Sequence, residues 1–326
     1  MTTPAHSQRL VFTKEFVRSI AARYGEKPKH SRPRLFYIAT LDAGEPMRTK
    51  IEQWAANVPE RVLTALRPRL QDCDQHLTAC NELLAAYHLS RLGYELEYEP
   101  VIQGKTPDFA AARAGIPRFI VEVLTRNVSA SAKGQEALRN ELYHRMLRVP
   151  GNALVNVHFY TRREPLTSAD LKTIEEGLAA WLSPRNASPR ERRTIAGIEF
   201  EVWDTSQTEE TISCGIMAQG ATRIDLKGLQ NKIRHKESKY GKLLAAKGLP
   251  YVVAVAPTFD AGLSFRCLQG IAEGPRGLFS REGSPLSAVL WIHENDGASS
   301  VQAIHNPNTA APLPEDTFKE KPEACQ

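Results

Sequence analysis

Residues 105–125 read KTPDFAAARAGIPRFIVEVLT, and the fold turns on this stretch. Two short apolar, β-prone runs, DFAAA and RFIVEVLT, are separated by ARAG and IPR, whose glycine and proline are turn formers, so the segment predicts a hairpin. Each run carries one acid. Glu122 is flanked by Ile120, Val121, Val123 and Leu124, and an ionised carboxylate among such neighbours must be paired or must bind a cation. Strand alternation puts Glu122 on the face of Ile120 and Leu124, opposite Phe119, Val121 and Val123. Asp108, fourteen positions earlier, follows a proline and precedes a phenylalanine, and the hairpin can bring it to Glu122. Two close carboxylates repel unless a proton or a metal lies between them. Magnesium, with manganese as its substitute, suits an all-oxygen site built on one or two carboxylates and several waters.

Upstream, helical periodicity covers Met47 to about Leu70, divided at Pro59. A second helix runs from about Asp72, read as its N-cap, to Leu92, where Gly93 stops it. Glu82 lies on that helix and shares a face with Thr78, Ala79, Ala85 and Ala86, small residues that let a helix approach a sheet. A surface ion pair is the plain reading of Glu82 taken alone. YELEYEP (94–100) then alternates as a strand. Downstream come a helix over roughly Ala132–Arg148, the strand ALVNVHFY, and the helix in TSADLKTIEEGLAAWL, whose Thr167 and Asp170 have capping-box spacing. The strands IEFEVWDT and TISCGIMAQ follow, then a basic helix near Asp225–Lys247. PYVVAVAP (250–257) is nearly all apolar, as strands buried mid-sheet are, and LSAVLWIHE and SVQAIH are late strands. The class is α/β, a mixed central sheet flanked by helices.

The run NELLAAYHLSRLGYELEYEP, then TPDF, then FIVEV, resembles the PD-(D/E)XK nuclease superfamily, the restriction-endonuclease-like fold. The resemblance covers about Asp72 to Thr125, and extends to the basic helix and PYVVAVAP. It implies a core of 72–125 and 225–257 with a large insertion over 126–224. It also implies Asp108 and Glu122 as magnesium ligands and Glu82 as a supporting acid. The sequence departs from the family pattern at Leu124, where the pattern has a lysine that sits beside the attacking water and the scissile phosphate. On the basic helix, Leu229, Ile233, Lys236 and Tyr240 follow one another at helical spacing, so Lys236 interrupts an apolar stripe. Snorkelling to solvent is one reading. The other is a displaced catalytic amine, since KESKYG (236–241) also resembles variants of this fold with the lysine moved to that helix. Lys232 and Lys239 are the reserves.

The 326-residue chain carries a net charge of +5. Seven basic residues against two acids lie between Asp225 and Lys247, and Lys227, Lys232, Lys239, Lys242 and Lys247 are read as contacts to nucleic acid, DNA by the resemblance. The basic runs KPKHSRPR (27–34) and SPRNASPRERR (183–193) read as loops. No apolar run approaches membrane-span length and the start lacks a signal-peptide core, so a cytosolic, membrane-free protein is expected. Five scattered cysteines argue against a disulfide framework. Residues 1–46 read as a helical extension, 47–305 as the α/β domain, and the proline-rich 306–326 as disordered; HNPNTAAPLP (305–314), which spans that boundary, resembles a C-terminal signature of the same fold with no physical role of its own. The expectation is a magnesium-dependent nuclease. The alternative is a nuclease-like protein that binds nucleic acid without cutting it.

Overall fold

The structure is a computed structural model that describes residues 10–27, 32–125, 138–139, 141–151, 153–158, 164–182, 188–205, 212–216, 226–256, 264–295 and 298–319. The chain divides into two compact units: residues 1–27, 32–127 and 225–326 form the first, and 28–31 with 128–224 the second.

The first unit is built on a six-stranded sheet. Its strands are β1 (Glu95–Tyr98), β2 (Phe109–Arg113), β3 (Ile116–Leu124), β8 (Tyr251–Val255), β9 (Leu286–Asn295) and β10 (Ala298–His305), side by side in that order. The first three form an antiparallel meander, β8 and β9 join in parallel, and β10 returns antiparallel. The sheet is therefore mixed. All five residues of β8 are buried, as a strand flanked on both sides and covered on both faces requires.

Helices cover the sheet. Helix α5 (His76–Arg91) lies against β1 and β3, with Ala79, Ala85 and Ala86 wholly buried. It begins later than the sequence reading puts it: the Asp72 carboxylate caps the turn before it, accepting from the Asp74 and Gln75 N–H groups, and leaves Gln75 at the N-cap. Gly93, at φ +80°, supplies the left-handed residue that ends the helix. Helices α1 (Lys14–Tyr24), α2 (Arg34–Thr40), α3 (Glu45–Ala56) and α4 (Glu60–Leu70) precede α5, with Pro59 at the break between the last two. The described part of residues 1–46 is not a loose appendage. Val11 and Ile38 sit in the main core, and Glu52 accepts the N–H groups of Val11 and Phe12.

The second unit has its own core and a four-stranded sheet in the order β5 (Arg192–Ile195), β6 (Ile198–Asp204), β4 (Leu154–His158), β7 (Ser213–Ile216). Helix α6 (Ser168–Trp181) starts with the Thr167–Asp170 capping box that the sequence predicts. The expected helix over 132–148 lies partly outside the described residues, and 141–146 are helical. β5 corrects the reading of 183–193 as loop: Arg192 and Arg193 pair with β6 across a tight turn, the charged side chains pointing outward from an edge strand.

The basic helix is α7 (Leu226–Ala246), whose Leu229, Ile233, Tyr240 and Leu244 are buried. Gly241 faces Pro285 so closely that a Cβ would overlap it. Helix α8 (Phe265–Glu273) follows β8 and has no counterpart in the sequence reading. Residues 306–319 correct the expected disorder. Asn306 donates its amide to the Leu286 carbonyl at 2.7 Å, Asn308 to Phe279 at 2.7 Å, and Ser287 donates to Ala311. Phe318 packs edge-on against Phe119 in the core. Side-chain amides meeting backbone carbonyls hold this strap, a pairing that polar composition does not reveal.

Candidate functional site

The hairpin β2–β3 turns at Ala114 and Gly115, both at positive φ, the geometry that matches strand twist in a two-residue hairpin loop. Its register pairs Phe109 with Val121, which sets Asp108 opposite Glu122. Asp108 Oδ2 accepts the Val123 N–H at 2.7 Å, and the Asp108 carbonyl accepts the Glu99 N–H at 2.9 Å. The loop leading into Asp108 is held from the other side by α7. The Tyr240 hydroxyl donates to the Thr106 carbonyl at 3.0 Å, and the Lys105 ammonium donates to the Lys239 carbonyl.

Glu122 is 1% exposed. Its Oε2 accepts from the Lys236 ammonium, and its Oε1 is buried with no hydrogen-bond partner among the described residues. Lys236 thus lies at the two acids and does not run out to solvent, although it leaves the helix on the same stripe as Ile233 and Tyr240. Burial works against its charge, but Glu122, then Asp108 and Glu82, outweigh burial and raise its pKa, so Lys236 is an ammonium at neutral pH. Asp108 is pushed up to about 7, first by burial and next by the charge of Glu122, with Lys236 and the Val123 N–H offsetting part of the effect. Without a cation Asp108 is therefore part-protonated at neutral pH. Two tyrosines wall the acids, Tyr240 and the fully buried Tyr251, with ring centroids 6.1 Å apart. Burial and the carboxylates push both hydroxyls up, so they stay protonated.

Glu82 is near but otherwise engaged. Its two oxygens accept from the two terminal nitrogens of Arg69 at 2.6 and 2.8 Å, and Oε2 also accepts from Tyr98 at 2.9 Å. Burial raises the Glu82 carboxyl, and Arg69 offsets part of that. The helix acid is therefore an anchor between α4, α5 and β1, whose charge is felt at the site. Among the described residues no group of three acids, histidines or cysteines is arranged to hold a metal ion, so any cation rests on Asp108 and Glu122 with waters.

Of the remaining residues read as functional, Lys227, Lys232 and Lys239 are exposed along α7 and Lys247 just past its end; Lys239 lies over the Tyr240 ring, and the side chain of Lys242 lies outside the described residues. Neither Lys232 nor Lys239 makes the contact to Glu122 that Lys236 makes. Arg69, Tyr98, Tyr240 and Tyr251 were not singled out by sequence. Tyr240 left a signal, a polar tip within the same stripe as Lys236; Arg69 left none, because it meets Glu82 only through the packing of α4 on α5. No family model, curated protein or solved structure matches this chain.

Proposed function

We propose that the protein is a metal-dependent nuclease with a restriction-endonuclease-like core, hydrolysing phosphodiester bonds of nucleic acid, with DNA as the substrate. The observation that carries this reading is the ammonium of Lys236 on Glu122, supplied from α7 where Leu124 on the strand supplies no cation. Asp108 and Glu122 fit a hard divalent cation: both donors are carboxylates, and Glu122 Oε1 is a buried acceptor that nothing in the described chain satisfies. Magnesium bound there would supply Lewis acidity to a phosphoryl oxygen and a lowered pKa to its water.

The chain's own groups then divide the work. Asp108 and Glu122 would hold the cation, Asp108 being aimed by the Val123 N–H and Glu122 by Lys236. Lys236 neutralises the negative charge that grows on the phosphoryl oxygens in the transition state. Water oxygen forms the new bond to phosphorus as the bond to the leaving sugar oxygen breaks. One water proton stays with the phosphate product and the other reaches the leaving oxygen through solvent. Glu82, locked by Arg69, keeps α5 and β1 in place around the pair.

Purified protein is expected to cut DNA in magnesium or manganese and not in chelator. Asp108→Asn and Glu122→Gln are expected to lower cutting by at least about 100-fold, with an unchanged circular dichroism spectrum. Full activity in either variant removes this mechanism. Leu124 favours a second reading, a nuclease-like protein that binds nucleic acid without hydrolysis; wild-type protein that binds DNA yet is inert with every divalent metal decides for it.

A further inference from the structure

A cleft of about 440 Å³ opens beside Lys236, between the end of β3 and the helices α5 and α7. Leu124 forms an apolar wall, and Thr78, Thr125, Asn231 and His235 bring two hydroxyls, an amide and an imidazole to its lining. We propose that this cleft receives an unpaired nucleotide next to the scissile phosphate, so that the substrate is single-stranded nucleic acid, or a strand frayed or tailed at the cleavage point, and not continuous duplex. The inference rests on the nuclease reading and narrows it to a substrate class.

Position is the first argument. Leu124 lies two residues beyond Glu122 on the same strand face, one strand repeat from the acids, and Lys236 borders both the acids and the cleft. A strand whose phosphate lay at Asp108 and Glu122 would set its neighbouring nucleoside at this opening. The second argument is shape. A lysine at position 124 would project into this space; with the amine brought from α7 instead, leucine leaves an open concavity with an apolar side. Its volume lies within the range of about 300–1,000 Å³ typical of small-ligand pockets. The third is chemistry. An apolar wall takes the face of a base, and the surrounding hydroxyl, amide and imidazole groups match the donors and acceptors of its edge. The Asn81 amide donates to the Thr125 hydroxyl at 3.2 Å, which fixes that group in place. A nucleotide inside a duplex has both faces stacked and its pairing edge occupied, so it cannot enter; an unpaired one can.

The test uses full-length protein in manganese with three DNA substrates of one sequence: single strand, blunt duplex, and duplex with an unpaired tail. Bis(p-nitrophenyl) phosphate serves as a diester with no nucleotide to seat. The wild type is expected to hydrolyse the small diester and to prefer the unpaired DNA substrates over blunt duplex by about tenfold or more in kcat/KM. Exposed His235→Ala and Asn231→Ala should each reduce that preference through a raised KM, and Leu124→Trp should abolish it, with melting curves confirming that each variant folds. Hydrolysis of the diester together with equal or better cutting of blunt duplex overturns the cleft assignment and leaves the nuclease reading standing. The cleft assignment falls equally if the preference survives all three variants. A wild type inert on the diester and on all three DNAs overturns both.

Discussion

The ammonium of Lys236 supplies the partner that a carboxylate as deeply buried as Glu122 requires, and the proposed chemistry leans on it. Lys236→Met should lower the cutting rate by about 10²- to 10³-fold, the usual cost of one transition-state charge donor, while DNA affinity measured in calcium stays close to wild type. A wild-type rate would exclude Lys236 and turn attention to Lys232 or Lys239. Residue by residue, the site was legible where chemistry conflicts with local pattern. An acid in an apolar strand and a lysine in an apolar stripe each demand a partner, and the fold makes them partners of each other. Glu82 was legible as an unusual acid but not in its pairing. Arg69 reaches it through helix packing that no sequence period encodes, so the expected supporting acid turned out to be bound on both oxygens.

Among the elements, α7 does two jobs on two faces. Its apolar stripe packs on β3 and β8 and delivers Lys236, while Lys227, Lys232 and Lys239, with Lys247 just past its end, remain exposed. Changing Lys227, Lys242 and Lys247 together to glutamine should weaken binding on all sequences. The salt dependence should flatten by about 0.9 in log–log slope for each duplex phosphate that the variant no longer neutralises. An unchanged slope would mean the lysines only solvate the helix. Strong periodicity made α3, α4, α5, α7 and the central strands readable. β5 and the strap over 306–319 were not, since β5 is a charged edge and the strap is held by amide-to-carbonyl bonds. Asn306 is 4% exposed and its amide satisfies the Leu286 carbonyl. Asn306→Ala should therefore cost about 1–3 kcal/mol in urea unfolding, and a loss near zero would show the strap to be held by Phe318 and its neighbours alone.

Across the whole molecule, stability and the proposed chemistry pull in opposite directions at Asp108. In metal-free protein its pKa is raised from the ordinary 3.8 to about 7, so between these values the folded chain holds a proton that the unfolded chain has released. Folding is then favoured by acid: this contribution weakens as pH climbs from about 4 and leaves a full penalty above 7. His88 has the opposite sign. Burial pushes it down to about 4, so below its ordinary 6.5 the unfolded chain binds a proton that the folded one refuses, and stability falls as pH drops from about 6.5 to 4. The two slopes oppose each other over the same interval. Asp108→Asn removes one of them. In chelator it should be more stable than wild type at pH 8, by on the order of 1–3 kcal/mol, since a buried charge and its repulsion with Glu122 are gone. Its stability should then decline visibly on acidification from pH 6.5 to 4, and adding magnesium should stabilise the wild type at pH 8 but not the variant. Denaturant midpoints across pH 4–8 measure all three effects. A variant less stable than wild type at pH 8 in chelator would mean that neither burial nor Glu122 penalises the Asp108 charge, and that Lys236 alone balances both carboxylates.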